Sequence, residues 1–128
     1  MWYRSSITIP ASTSNVAPVT VETEVSQGTI SLFYRLFPKG CAGQVRLQVF
    51  YQTRQVLPAT PGQSYLGDGS EVLGDSSIVL DEPPYILSLR GWSPGTTYDH
   101  TIHVEFYIEK TQVLMPVPLE SRAFPVGL

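Results

Sequence analysis

His100 and His103 are the two histidines of the 128-residue chain, three positions apart. They lie in Tyr98-Asp99-His100-Thr101-Ile102-His103-Val104-Glu105-Phe106-Tyr107-Ile108. Here His100, Ile102, Val104, Phe106 and Ile108 share one parity, and Asp99, Thr101, His103, Glu105 and Tyr107 the other. A period of two with β-branched and aromatic residues describes a half-buried strand, so residues three apart face opposite sides. The two imidazoles therefore cannot share a metal ion, and a zinc site needs three or four converging ligands. His100 is expected at the core edge and His103 in solvent.

Cys41 is the single cysteine, which excludes an internal disulfide framework and a cysteine-based zinc site. Its setting, Gly40-Cys41-Ala42-Gly43, suits a small buried hydrophobe in a tight corner better than a nucleophile, which would need a paired histidine. Asp68-Gly69-Ser70-Glu71, with Asp75 and Asp81, offers carboxylate oxygens for calcium. The spacing matches no twelve-residue calcium loop, and Asp-Gly is first a turn former. Glycoside hydrolysis needs two carboxylates across a cleft; eleven acids give many pairs and single out none. Nor does the chain contain a Gly-Xaa-Ser-Xaa-Gly elbow, a phosphate-binding loop or a dinucleotide fingerprint. No residue is assigned to catalysis, to a cofactor or to a metal, and the expectation is a protein that is not an enzyme.

Aromatic side chains remain as binding candidates. Tyr85, Trp92 and Tyr98 flank turns and offer an aromatic platform for a sugar ring, with Tyr65 and Tyr107 as further exposed positions. The competing reading has Trp92 and Tyr98 closing one end of the core, since aromatics dominate core burial.

The elements that must position these residues are strands. Val19, Val21, Thr23 and Val25 alternate with Thr20, Glu22 and Glu24. Ile30, Leu32, Tyr34 and Leu36 line one face of a second strand whose other face carries Phe33 and Phe37. Val45, Leu47, Val49 and Tyr51 define a third, and Pro58-Ala59-Thr60-Pro61-Gly62 is a turn cluster. Residues 62–77 read as a long loop with one short strand near Ser64–Leu66. Ile78–Leu80, then Tyr85, Leu87 and Leu89, then 98–108 complete the pattern. Seven or eight short strands between Gly/Pro turns predict an all-β, antiparallel β-sandwich of jelly-roll or Greek-key type.

Both ends differ from the middle. Residues 1–18, with Trp2, Tyr3, Ile7 and Ile9, read as an N-terminal arm, residues 19–112 as the sandwich, and residues 113–128 as a C-terminal extended arm. That arm is apolar but broken by Pro116, Pro118 and Pro125, which forbid a helix or a central strand. Val117, Leu119, Phe124 and Val126 are its candidate interaction residues, together with Trp2 and Tyr3 of the N-terminal arm. Such segments lie on apolar surface, their own domain's or a neighbour's; contact with a neighbour is the expectation here.

Composition narrows the partners. Apolar residues make up 42% and charged ones 15%, which argues against a disordered chain. The net charge of −3, with lysines and arginines scattered singly, leaves no electrostatic footprint for nucleic acid. No stretch approaches the ~20 apolar residues of a membrane span, and no targeting segment is visible. Synthesis in a cytoplasm and no membrane partner are expected.

Phe37-Pro38-Lys39-Gly40-Cys41-Ala42-Gly43-Gln44-Val45, Pro84-Tyr85, Arg90-Gly91-Trp92-Ser93-Pro94-Gly95 and Tyr98-Asp99-His100-Thr101-Ile102 together resemble a pattern in small virion proteins of tailed phages. The resemblance spans roughly residues 28–108. It implies a jelly-roll-like virion structural protein, a head decoration (cement) protein or a tail component, made in the host cytoplasm. The implied partners are further copies of itself, as a trimer, and a major capsid or other virion protein. It brings no catalytic residues and no cofactor. The alternative is a carbohydrate- or receptor-binding module of a phage tail or cell surface.

The opposite-face spacing of the histidines generates a direct test. Neither EDTA nor stoichiometric zinc should move the melting temperature beyond measurement error, because a metal that binds only the folded state must raise it. A reproducible zinc-dependent rise would overturn the reading of His100 and His103 as non-ligands.

Overall fold

The computed structural model describes residues 1–110, and these contain eight β-strands and no helix. The strands are β1 (Trp2–Ile9), β2 (Val19–Glu24), β3 (Gly28–Phe37), β4 (Arg46–Tyr51), β5 (Arg54–Leu57), β6 (Ser70–Leu80), β7 (Ile86–Trp92) and β8 (His100–Glu109). One sheet has the order β1-β8-β3-β6, the other β2-β7-β4-β5, and all pairings are antiparallel.

This order has a simple origin. β4 and β5 form a tight hairpin through Gln52 and Thr53, with Gln52 at positive φ. Strands equally distant from that hairpin pair with each other: β3 with β6, β2 with β7, β1 with β8. The chain is thus one long antiparallel hairpin, rolled so that β8 also meets β3 and β7 also meets β4. Eight strands in two such sheets make a jelly roll.

Alternation delivers the core. His100, Ile102, Val104, Phe106 and Ile108 of β8 all point inward, as do Leu47, Val49 and Tyr51 of β4 and Leu87, Leu89 and Gly91 of β7. Phe106 stacks on Phe33 with ring centroids 5.1 Å apart. Alternation turns position 91 inward, and it holds glycine because Ile9 fills the space a side chain would need: an added Cβ would lie 2.9 Å from Ile9 Cγ1.

Three departures from the sequence reading have physical reasons. Residues 2–9 are a sheet strand paired along their whole length with β8, not an arm, and Ile7 and Ile9 are fully buried. Serines at positions 5 and 6 dilute the apolar signal of an edge strand. In β3, Ile30 does not share a face with Leu32, Tyr34 and Leu36: a bulge at Ser31 reverses the alternation, so Ile30 points inward with Phe33 and Phe37 and the other three point outward. Residues 70–77, read as loop, belong to the eleven-residue β6. It is an edge strand with few buried positions, so its polar composition hides it. Residues 111–128 lie outside the described residues, and with them Val117, Leu119, Phe124 and Val126 of the C-terminal segment.

The sandwich is closed on one side and open on the other. At the β1/β2 side, Thr23 Oγ1 donates to Ser5 Oγ at 2.7 Å, and the Tyr3 hydroxyl donates to Ser26 Oγ at 2.8 Å. At the β5/β6 side, a recess lined by Arg54, Gln55, Val56, Ser77, Ile78 and Val79 separates the two edge strands.

The register of β8 predicts a strong contrast between neighbouring positions. Phe106→Ala should cost about 3–5 kcal/mol in denaturant unfolding, the cost of emptying a buried aromatic site. His103→Ala, on the solvent face of the same strand, should stay within about 0.5 kcal/mol of the parent.

Candidate functional site

The fold separates His103, Glu71, Asp75 and Asp81 from one another, whereas His100, Asp68 and Cys41 all border the corner at Gly40. His100 and His103 face opposite sides of β8. His100 is 6% exposed and its Nδ1 has no hydrogen-bond partner, while its Nε2 faces Gly40; His103 stands in solvent. Asp68 Oδ1 accepts from the Gly40 amide at 2.9 Å, which ties the β5–β6 connection to the corner after β3. Glu71 accepts from the Tyr34 hydroxyl at 3.0 Å on the outer face of the first sheet. Asp75 and Asp81 are exposed, on β6 and just after it. Among the described residues, no three His, Cys, Asp or Glu side chains gather as metal ligands.

Cys41 is fully buried and free. Burial pushes its thiol pKa up, and the nearby Asp68 carboxylate pushes it the same way. Both effects disfavour the thiolate, the opposite of what activates a nucleophilic cysteine. Arg35 is half-buried and lies over the Tyr65 ring, 4.0 Å from its centroid. Desolvation lowers the Arg35 pKa and raises that of Tyr65, so this pair is a cation–π contact between two wedged side chains.

The aromatic platform comes apart. Tyr85 precedes β7 and Trp92 ends it; seven residues of strand at ~3.3 Å each separate them by about 23 Å. Tyr85 is half-buried against the core, and its carbonyl accepts from the Val25 amide. Tyr98 is 75% exposed in the β7–β8 loop. Trp92 does not close the end of the core: Gly91 occupies the inward position, and Trp92 points outward from the second sheet, half-buried. It lines a recess of about 470 Å³ with Gln44, Arg46, Ser64, Pro94 and three glycines, which neither Tyr85 nor Tyr98 enters. Sequence reasoning singled out Trp92 but missed Arg46, which β-pairing sets directly opposite it.

The first sheet's outer face holds a second group that sequence reasoning found only in part. Trp2 pairs with Tyr107, Tyr107 with Leu32, and Tyr34 with Leu73, so antiparallel register gathers these side chains on one face. Trp2 packs on the Tyr107 ring at 5.1 Å, and remains 44% exposed. Leu73 is 57% exposed, and Leu32, Tyr34 and Leu36 are partly so. Within this patch, Glu105 stands opposite Tyr34 and forms an ion pair with Arg4 at 3.5 Å. Tyr3, the other N-terminal interaction candidate, points inward and packs against the core. The signal available in sequence was the aromatic and aliphatic parity of Leu32, Tyr34 and Leu36, which groups them with Ile30 until the bulge is seen.

Cys41 gives a measurable consequence. A thiol reagent should label the native protein only as fast as the chain opens. Because the folded state holds the thiol proton more tightly, the contribution of Cys41 to stability is intact below the ordinary thiol pKa and falls as pH rises above it. Cys41→Ala should flatten that alkaline loss in equilibrium unfolding.

No family model, no curated protein and no solved structure matches the chain.

Proposed function

We propose that the chain is a non-enzymatic structural protein of a tailed-phage particle, a decoration protein that assembles as a homo-oligomer, a trimer, against a major capsid or other virion protein. The observation that carries this reading is the outer face of the β1-β8-β3-β6 sheet. Trp2, Leu32, Tyr34, Leu36, Leu73 and Tyr107 cluster there with Arg4, Glu71, His103 and Glu105 among them, on a sheet whose other face already packs the core. A sheet needs one face buried to fold; apolar residues on the second face add nothing to a lone domain and favour association. Aromatic residues backed by a flat, paired scaffold lose little entropy on binding, which suits them to interface cores. The jelly roll recurs in viral capsid and lectin domains, and the turn motifs at residues 37–45, 84–85, 90–95 and 98–102 resemble those of phage virion proteins. Architecture and resemblance support the reading of a particle protein, and the exposed face supports assembly.

Sedimentation velocity tests the reading directly. The parent should sediment as an oligomer at micromolar concentration. Leu73→Arg, at a position already mostly exposed, should shift it to monomer while leaving the melting temperature nearly unchanged. A parent that stays monomeric throughout the micromolar range would overturn self-assembly through this face.

A further inference from the structure

The recess around Trp92 lies on the outer face of the second sheet, away from the proposed assembly surface, and its chemistry is of another kind. We propose that it binds an acidic saccharide, with the sugar ring on the Trp92 indole and a uronate carboxylate on Arg46.

The geometry begins with register. Arg46 of β4 and Trp92 of β7 are direct cross-strand partners, and both point outward. Among the described residues, no aromatic ring or guanidinium stacks on the Trp92 ring. The polar groups around it are equally uncommitted. The Trp92 indole N–H, the Arg46 guanidinium, the Gln44 amide and the Ser64 hydroxyl make no side-chain hydrogen bond to the described residues. Their neighbours behave otherwise: Gln48 donates to Gln55 Oε1 and to the Gln63 carbonyl, and Gln55 donates to three backbone carbonyls. Satisfied polar side chains thus sit beside a recess whose own polar groups have no protein partner.

Space and charge agree with a sugar. The recess, about 470 Å³, is walled by Gly43, Gly62 and Gly95. A Cβ on Gly62 would meet nothing within 4 Å, so this wall opens onto free space. An aromatic face with planar amide and guanidinium groups around it offers both CH–π contact and bidentate hydrogen bonding, the two demands of a pyranose ring. The lining contains no carboxylate. Arg46 is half-buried, and no carboxylate of the described residues lies within ion-pair distance of it, whereas Arg4 pairs with Glu105, Arg35 covers Tyr65 and Arg90 covers Phe50. An uncompensated guanidinium in a protein of net charge −3 selects an anionic group, and its fork fits a carboxylate bidentately.

Fluorescence titration of the full chain carrying Trp2→Phe, which leaves Trp92 as sole indole, tests this. Trigalacturonate should produce a saturable change in emission with a dissociation constant of ~1 mM or tighter, and maltotriose at the same concentrations should bind at least ~10-fold more weakly. Arg46→Gln should abolish that preference with the melting temperature unchanged. Calorimetric titration of Trp92→Ala should show no binding. No saturable response to trigalacturonate overturns the proposal; equal affinity for both trisaccharides, or an Arg46→Gln variant that keeps the preference, overturns the assignment of Arg46 to a carboxylate. If Trp92→Ala does not fold, the Arg46→Gln comparison decides alone.

Discussion

Strand β8 is paired on both flanks, by β1 and β3, and the rest of the structure is arranged around that double commitment. Once it is held at the middle of a sheet, its inward row must be covered, and the second sheet is what covers it. Ile102, Val104, Phe106 and Ile108 are buried to within a few per cent. Burying a side chain of this size gains roughly 1.5–3 kcal/mol relative to leaving it in water. The rolled hairpin follows, because it brings β7 and β4 over this row while keeping every strand pair antiparallel. The contact between Gly91 and Ile9 shows how closely the layers meet where β1 passes over β7.

The same constraint creates the two outward surfaces. Alternation that sends Phe106 inward sends Tyr107 outward, and pairing then sets Trp2 and Leu32 beside it. On the opposite sheet, alternation that sends Gly91 inward sends Trp92 outward against Arg46. One surface is a broad aromatic and aliphatic patch threaded by the Arg4–Glu105 ion pair, Glu71 and His103. The other is a small recess with one aromatic face and several free donors. Their chemistry differs, and so do the partners proposed for them: a protein subunit for the first and an acidic sugar for the second. Lying on opposite sheets, the two surfaces can be occupied together.

The polar groups inside the molecule serve its corners. Thr96 bonds Ser93 and Ser12, Ser93 bonds the Pro10 carbonyl, and Asp99 accepts from the Ala11 amide. These bonds pin the β1–β2 connection to the β7–β8 loop where the chain crosses between sheets. Cys41 and His100 lie at the same kind of turn, buried and without a charged partner in bonding contact. His100 Nε2 faces Gly40, the chain neighbour of Cys41, so both side chains fill the same corner of the fold.

Alternation is a local property, and so the all-β class, the inward row of β8, the inward residues 45, 47, 49 and 51, and the opposite faces of His100 and His103 were legible in the sequence alone. Turn chemistry at Pro38–Gly40, Pro58–Gly62 and Pro94–Gly95 was equally local. What local pattern could not carry was decided by partners distant in sequence. Ser70–Ser77 becomes a strand only because β3 pairs with it, and residues 2–9 become one only because β8 does. The bulge at Ser31 appears where β3 must satisfy two ladders at once, and it puts Leu32, Tyr34 and Leu36 on the face opposite Ile30, with which their parity had grouped them. Arg46 stands beside Trp92 through a register spanning 46 positions of chain, and no spacing rule reaches that far. Sequence parity fixes which side of its own strand a residue takes; only the closed sheet decides which side becomes the interior and which residues share the exterior.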